Sequence, residues 1–224
     1  MPEEPSVPSD QIVVSDLEGT LSSGYTWKGM RDWLRLNGRG DGYQRLVLRR
    51  LPVLIGYRLK LVDAPKFKVQ WFVDMLSLFK GLSTDEFDSM AQWVAEHELW
   101  QNRRQAVLAE LHAHQQAGRT VLLVSGVGDR ILQAVARTFG FEGIGTPLRF
   151  EQGVFAGELA GPFNAGEYKV QRVRDRIGSA PIAYAYGDTA NDIAMMSVSQ
   201  QAVAVHPDRG LRRAAAEQNW RILE

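Results

Sequence analysis

Short apolar runs rich in β-branched residues recur along the chain, and several of them stop at a polar or acidic residue. Three such runs cover residues 12–15, 120–124 and 181–186, and glycine follows each of them within a few residues. Runs of this kind are typical of buried strands, and from residue 103 onward they alternate with helical patterns. The sequence therefore predicts an α/β fold with a Rossmann-like, mainly parallel sheet flanked by helices.

A long helical segment separates the first of these runs from the others. Residues 25–100 carry helical patterns almost throughout, and Ser83-Thr84-Asp85-Glu86 has the form of a capping box at a helix start. A chain of 224 residues can form one core with a modest insertion. We therefore expect an α/β core of residues 1–24 and 101–224, with residues 25–100 inserted as a helical cap above the strand ends.

Two acidic residues come directly after the first predicted strand. Because strand side chains alternate with a period of two, Asp16 and Glu18 can share one side of the exit from that strand. Two adjacent carboxylates can divide the roles of nucleophile and general acid or base. An acidic turn can also be merely solvated or cap a following helix, so this segment alone leaves both interpretations open.

A second acidic pair follows the run at 181–186. Asp188 and Asp192 are four residues apart at the start of an amphipathic helix, and this spacing can aim both carboxylates toward one strand edge. Acidic groups that converge there repel one another unless a cation neutralises them, and their hard oxygen atoms favour Mg2+. The alternative interpretation makes Asp188 an N-cap and Asp192 a partner of the helix dipole.

Two further segments could bind an anion. Ser125 and Gly126 end the run at 120–124 just before a predicted helix, where a hydroxyl and backbone N–H groups can hold a phosphate. Lys169 lies near the start of another predicted helix, and a lysine among carboxylates can balance the charge of a phosphoryl group. Ser125 can equally be a turn residue, and most lysines in such positions are solvated.

These segments together resemble the haloacid dehalogenase superfamily, and within it most closely the phosphoserine phosphatase-like subclass. The resemblance extends over most of the chain, including residues 204–208. The family usually has Asp where this chain has Glu18, and the proline-glycine turn common in the subclass is missing near residue 101. The four motifs that carry the resemblance are Asp16-x-Glu18-Gly19-Thr20, Ser125-Gly126, Lys169 and Gly187-Asp188-x-x-x-Asp192.

The resemblance implies a phosphomonoester hydrolase that acts through an aspartyl-phosphate intermediate on Asp16. Glu18 would protonate the leaving alcohol and then deprotonate the water that hydrolyses the intermediate. Ser125 and the N–H group of Gly126 would hold phosphate oxygens. Lys169 would orient Asp16 and offset the charge of the phosphoryl group during transfer.

The resemblance also implies the metal ligands and the class of substrate. Mg2+ would be held by the carboxylates of Asp16, Asp188 and Asp192 and by the backbone carbonyl of Glu18. The substrate would be a small phosphorylated metabolite such as phosphoserine. Two alternatives stay open, namely phosphoryl transfer to an alcohol acceptor and a phosphate-binding or regulatory protein with little turnover, which Glu18 in place of Asp favours.

The net charge of zero conceals a basic segment. Residues 25–80 contain twelve Lys or Arg and four Asp, which can form a solvated surface, steer an anionic substrate or contact anionic lipid. Balanced total charge and dispersed tryptophans argue against dedicated binding of nucleic acid. The apolar stretch at 51–60 has basic flanks, which keeps contact with anionic lipid open as the least expected of these possibilities, but it is too short to span a bilayer.

The chain contains no cysteine, which excludes disulfide and thiol chemistry. Residues 1–10 are polar and proline-rich and lack the basic start and apolar core of a secretion signal. We therefore expect a cytoplasmic enzyme whose partner is a small-molecule phosphomonoester. The sequence makes no prediction about the oligomeric state.

Overall fold

The structure is a computed structural model and describes residues 12–224. Its strands, in chain order, are β1 (Ile12–Ser15), β2 (Thr120–Gly128), β3 (Glu142–Thr146), β4 (Leu148–Glu151), β5 (Val154–Leu159), β6 (Ile182–Gly187), β7 (Ser199–Val205) and β8 (Arg221–Leu223). Six of them form a sheet in the order β3-β2-β1-β6-β7-β8, and every neighbouring pair in it is parallel. The predicted α/β fold with a mainly parallel sheet is confirmed.

Helices cover both the sheet and the long segment that follows β1. Between β1 and β2 lie α1 (Thr26–Leu36), α2 (Gly40–Arg58), α3 (Ala64–Ser77), α4 (Thr84–Val94) and a π-helical turn at Ala95–Leu99, and then α5 (Gln105–Gln116). The later helices are α6 (Asp129–Phe139), α7 (Gly166–Ile177), α8 (Ile193–Ser197) and α9 (Arg209–Gln218), and a short 3-10 helix at Ala190–Asp192 precedes α8.

The predicted capping box at the start of α4 is confirmed. The Glu86 N–H donates to Ser83 Oγ at 3.2 Å, and the Ser83 N–H donates to Glu86 Oε2 at 2.8 Å. This exchange satisfies backbone N–H groups that a helix start otherwise leaves without partners. Phe87, Met90 and Val94 of the same helix are buried, so α4 is anchored both at its cap and along its apolar face.

The strand order reverses beside β1, and this fixes where a ligand is expected on the sheet. From β1 the chain continues to β2 and β3 on one side, whereas β6, β7 and β8 lie on the other side. Ligands of open α/β sheets bind at the carboxyl ends of the strands, at the point where the strand order reverses. Residues that follow β1, β2 and β6 therefore meet at the position where a ligand is expected.

A two-stranded antiparallel hairpin of β4 and β5 was not part of the sequence expectation. It packs against α4, where the ring of Phe87 lies 5.4 Å from that of Phe150 and 4.7 Å from that of Phe155. The Phe155 N–H also donates to the carbonyl of Leu82 at 2.8 Å. The hairpin thus ties the helical segment to the rest of the chain.

The helical segment and one face of the sheet share a hydrophobic cluster. Buried Met30 of α1, Met75 of α3 and Val94 of α4 belong to the same cluster as Val13 of β1 and Leu123 of β2. In the described part of the chain, the helical segment therefore has no hydrophobic core separate from this face of the sheet. The expected division into a core and an inserted cap stays a proposal about function. Within the described residues, no helix is both long enough and apolar enough to cross a membrane.

Candidate active site

Asp16 lies directly after β1, at the carboxyl end of this central strand, and is 8% exposed. The backbone N–H of Asp16 donates to the carbonyl of Tyr186 in β6 at 2.9 Å, and Ser15 Oγ donates to the carbonyl of Asp16 at 2.8 Å. These bonds fix the backbone at the point where the chain leaves the sheet. The Asp16 carboxylate consequently has a defined position beside the strand that leads to Asp188.

Lys169 of α7 is buried and joins two carboxylates. Its Nζ donates to Asp16 Oδ1 and to Asp192 Oδ1, each at 2.7 Å. Burial alone would lower the pKa of Lys169, but the two negative charges outweigh it and raise that pKa above its ordinary value. The lysine is therefore charged at neutral pH, and the alternative in which it is merely solvated is wrong.

Asp188 and Asp192 are held by two threonines. Thr20 Oγ1 donates to Asp188 Oδ1 at 3.1 Å, and the backbone N–H and Oγ1 of Thr189 donate to Asp192 Oδ2 at 3.2 and 3.1 Å. Thr189 is the N-cap of the short 3-10 helix, so the alternative that made Asp188 the N-cap is wrong. Because Thr189 caps the helix, the Asp188 carboxylate is not used as a cap and is available to bind a ligand at the end of β6.

Three carboxylates converge at this edge. Asp16, Asp188 and Asp192 each place an oxygen within 4.8 Å of the others. Burial raises the pKa of both Asp16 and Asp188; Lys169 opposes the rise, whereas the neighbouring carboxylates add to it. Three carboxylates and one ammonium leave two negative charges, so this cluster of hard oxygen donors fits a divalent cation such as Mg2+.

Glu18 lies apart from that carboxylate cluster and contacts the helical segment instead. Its Oε1 accepts a hydrogen bond of 2.5 Å from the backbone N–H of Thr26, the first residue of α1. Burial raises the pKa of Glu18, and the hydrogen bond from Thr26 only partly opposes this rise. A carboxyl group with a raised pKa is suited to donate a proton at neutral pH.

Ser125 and Gly126 lie within β2 rather than at its end. The strand continues to Gly128, so the expected strand end at this pair is wrong, and α6 follows from Asp129 with the expected apolar residues on its buried face. The reason is that β2 regains its pairing with β3 at Gly128 after an irregular stretch. A Cβ on Gly126 would lie 2.4 Å from the ring of Phe163, so a larger residue does not fit there.

One cavity joins these residues. It has a volume of about 1030 Å3, and helices α1, α2 and α3 contribute much of its wall. It brings together every site residue expected from the sequence, with the four carboxylates and Lys169 on its floor. The expected residues that line it are Asp16, Glu18, Ser125, Gly126, Lys169, Asp188 and Asp192.

Sequence reasoning missed the residue that supports the Ser125 backbone. Asn164 is 1% exposed, and its Nδ2 donates to the carbonyls of Ser125 at 3.0 Å and Ile144 at 2.9 Å. It lies in the connection before α7 and belongs to no motif, so no local signal could have found it. Thr20 and Thr189 are different, because each flanks an acidic residue in a segment that was already of interest.

Gly19 offers a direct test of the packing at the carboxylate cluster. Its φ is +96°, and a Cβ there would lie 2.0 Å from Asp188 Oδ2. We expect Gly19→Ala to lose about 1–3 kcal/mol of stability from its left-handed backbone alone. We also expect it to weaken binding of Mg2+ by at least about tenfold, because Asp188 must move. Thermal unfolding and calorimetric titration measure the two effects.

The matched control is Gly118→Ala. Gly118 has a φ of +83° and no heavy atom within 4 Å of a built Cβ, so it reproduces the backbone strain without the clash. We expect this variant to lose stability while binding Mg2+ like the unchanged protein. Equal metal affinity in the two variants would contradict the assigned role of the contact between Gly19 and Asp188.

Comparison with known proteins agrees with this geometry. The chain matches the family described as haloacid dehalogenase-like hydrolase over residues 13–197. It is 30% identical over 158 residues to a phosphoserine phosphatase of Mycobacterium tuberculosis, covering 66% of this chain and 50% of that protein. The matched part thus spans about half the length of this relative. A histidinol-phosphatase of Neisseria meningitidis is 25% identical over 232 residues, covering 95% of this chain and 97% of that protein.

Solved structures share the fold. A protein of unknown function from Bordetella pertussis has a TM-score of 0.79 at 23% identity, covering 96% of this chain and 98% of that chain. A phosphoserine phosphatase in its apo form has a TM-score of 0.59 at 16% identity, covering 96% of this chain and 94% of that chain. The family match and the shared fold show that this chain belongs to the haloacid dehalogenase-like hydrolases and resembles their phosphoserine phosphatase-like subclass.

Proposed function

We propose that the chain is a Mg2+-dependent phosphomonoester hydrolase that works through an aspartyl-phosphate on Asp16. The observation that carries the proposal is the buried Asp16 carboxylate, held by Lys169 at 2.7 Å on the floor of a cavity beside Asp188 and Asp192. Lys169 opposes the rise in the pKa of Asp16 that burial causes, and so favours the ionised form that can act as a nucleophile.

The proposed reaction has two displacements at phosphorus. In the first, a carboxylate oxygen of Asp16 attacks phosphorus, the bond from phosphorus to the alcohol oxygen breaks, and Glu18 gives that oxygen a proton. In the second, water attacks phosphorus, Glu18 takes the proton, and the bond to Asp16 breaks to release inorganic phosphate. The raised pKa of Glu18 suits both the acid and the base step.

The remaining residues of the floor bind and orient. We assign Ser125 and the Gly126 N–H to the phosphate oxygens, because both residues line the cavity together with Asp16 and Lys169. Lys169 keeps Asp16 charged and offsets negative charge on the transferring phosphoryl group. Asn164 holds the Ser125 backbone through its carbonyl and is therefore a positioning residue.

The carboxylates of Asp16, Asp188 and Asp192 would hold Mg2+, with the backbone carbonyl of Glu18 as the further proposed ligand. When bound, the ion would neutralise charge on the floor and on the phosphate. The hydrogen bonds from Thr20 to Asp188 and from Thr189 to Asp192 would keep those two carboxylates oriented toward the ion.

We further propose that residues 25–100 act as the cap of this site. The N-terminus of α1 holds Glu18 through Thr26, and α2 and α3 line the cavity above the floor. A cap in that position would exclude water other than the one that reacts. It would also couple the position of the acid and base, Glu18, to the arrival of substrate.

Metal binding should depend on pH. Because burial and the neighbouring carboxylates raise the pKa values of Asp16 and Asp188, protons compete with Mg2+ for these oxygens. We expect the affinity for Mg2+ to fall as the pH is lowered through the neutral range, and binding to release protons. Titration calorimetry in buffers of different ionisation enthalpy measures both, and a pH-independent affinity would contradict the assignment.

The relatives suggest a small phosphorylated metabolite as substrate, because they include proteins named phosphoserine phosphatase and histidinol-phosphatase. The alternative of phosphoryl transfer would yield a new phosphate ester when alcohols are added, and a binding protein would retain phosphate esters without releasing phosphate. The deciding experiment measures phosphate release from a panel of phosphomonoesters with Mg2+ and with EDTA. Release that requires Mg2+ supports the hydrolase, and none from any ester would overturn it.

A further inference from the structure

The cavity above the catalytic floor is far larger than a phosphate group needs. Its volume of about 1030 Å3 lies at the upper end of the usual range for pockets of drug-sized ligands, roughly 300–1,000 Å3. Much of its wall is aromatic and comes from helices α1, α2 and α3. The aromatic residues of this wall, here called the aromatic wall, are Trp27, Tyr43, Tyr57, Phe67, Trp71 and Phe72.

Five of these rings contact one another in a continuous series. The ring of Phe67 stacks on that of Tyr57 at 4.3 Å between centroids and on that of Trp71 at 6.1 Å. Trp71 in turn meets the edges of Trp27 at 6.2 Å and Tyr43 at 6.5 Å. Each ring is only half-buried, so the wall is supported from within and still offers apolar surface to a ligand.

The charges on the wall are positive. Every carboxylate that lines the cavity belongs to the floor already described, namely Asp16, Glu18, Asp188 and Asp192. Away from the floor, the charged lining residues in the described part of the chain are Lys28, Lys66 and Lys68. An ammonium group on a substrate would therefore find lysines and no carboxylate of its own to pair with.

We propose that the alcohol released by this enzyme carries a ring-bearing or comparably bulky apolar body and no positive charge. The inference rests on the proposed hydrolase and names the class of its substrate. Histidinol phosphate would fit poorly, since it brings an ammonium group to a basic wall, and phosphoserine would fit poorly, since it leaves the aromatic wall uncovered. Trp71 is the main specificity residue, because it contacts three other rings of the wall.

Matched alkyl esters test the preference, and the pair that differs only in the ring has nearly the same leaving-group chemistry. Phenylpropyl phosphate and propyl phosphate differ only in the ring, and the phosphate ester of phenylalaninol adds an ammonium group to the former. We expect kcat/KM to be at least about tenfold higher for phenylpropyl phosphate than for either of the others. Equal values for the ring-bearing and short esters, or fastest turnover of the phenylalaninol ester, would overturn the inference and leave the hydrolase standing.

Variants assign the preference to the wall. In Trp71→Ala, kcat/KM for phenylpropyl phosphate should fall most of the way to the value for propyl phosphate. Turnover of propyl phosphate, which has no ring, reports whether the floor is intact. Trp71→Phe should keep part of the advantage. The matched control is Trp93→Ala, because Trp93 is also half-buried but stacks on His97 outside the cavity. An equal loss in the Trp71 and Trp93 variants would contradict the assignment.

The lysines have a parallel test. Lys68→Gln should narrow the gap between the phenylalaninol ester and phenylpropyl phosphate, because it removes a positive charge that repels the ammonium group. Lys80→Gln is the control, since Lys80 is exposed and does not line the cavity. An unchanged gap in Lys68→Gln would overturn the electrostatic part of the inference.

Binding separates a wrong substrate class from a wrong reaction. Phenylpropyl phosphonate and propyl phosphonate cannot be hydrolysed, and quenching of tryptophan fluorescence reports their affinities. Tighter binding of the ring-bearing phosphonate in the unchanged protein, lost in Trp71→Ala, would support the substrate class even if no ester were hydrolysed. Equal affinities would reject the substrate class whether or not phosphate is released.

Discussion

Asp16→Asn is expected to abolish phosphate release while leaving the fold intact. Asparagine has nearly the shape of aspartate but no anionic oxygen to attack phosphorus, so we expect kcat to fall by about a thousandfold or more. The Asp192 carboxylate still pairs with Lys169 in the variant, and removal of one buried negative charge relieves repulsion. Phosphate release in excess Mg2+, together with the melting temperature, checks both parts.

Asn164→Ala is the informative companion to that variant. Asn164 supports the Ser125 backbone, and its hydrogen bonds go to Ser125, Ile144 and Thr146 rather than to the three clustered carboxylates. We expect it to weaken substrate binding and turnover by a much smaller factor than Asp16→Asn. Similar losses in the two variants would mean that the loss in Asp16→Asn reports general damage to the site rather than the missing nucleophile.

Lys169→Met is expected to have the largest effect on stability. It leaves Asp16 and Asp192 buried without their shared cation, and breaking a buried ion pair in this way costs roughly 3–5 kcal/mol. For a chain of this size, the melting temperature in EDTA should fall on the order of 10 °C. Activity should be lost as well, because the nucleophile loses the charge that keeps it ionised.

The pH dependence of Lys169→Met follows from the carboxylates that it leaves behind. Loss of the ammonium raises the folded-state pKa of Asp16 further above its unfolded value, so the folded variant takes up protons as the pH falls. The deficit in stability relative to the unchanged protein should therefore shrink toward acidic pH and grow toward alkaline pH. The double variant Lys169→Met with Asp192→Asn should recover part of the loss, and a single variant as stable as the unchanged protein would contradict the account.

The parts of the site that sequence reasoning could predict are those fixed by strand ends. Asp16 and Asp188 follow short strand-like runs. Because parallel strands bring their carboxyl ends to one edge of the sheet, the convergence of these carboxylates was predictable once the sheet was. The contact between Lys169 and Asp16 joins residues far apart in the chain. Periodicity cannot provide such a pairing, and the expectation came from family resemblance.

Other features of the structure could not be predicted from the sequence, for specific physical reasons. The pattern at Gly126 predicts the end of a strand, yet β2 continues through it to Gly128, where it pairs with β3 again. The hairpin turn uses Gln152 and Gly153, both with positive φ, where an asparagine before the glycine would have been the clearer signal. Helical spacing also cannot tell whether a half-buried ring such as Trp71 faces a core or a cavity.

The most direct test of the central claim is to trap the covalent intermediate. Sodium borohydride reduces an acyl phosphate, so quenching the enzyme with it during turnover should convert Asp16 to homoserine, which peptide mass spectrometry detects. We expect the product at Asp16 alone, only with Mg2+ and a hydrolysable ester, and in greater yield in Glu18→Gln, where hydrolysis of the intermediate loses its base. Turnover without a trapped product in either protein, or a product at another carboxylate, would contradict the assignment of Asp16 as nucleophile.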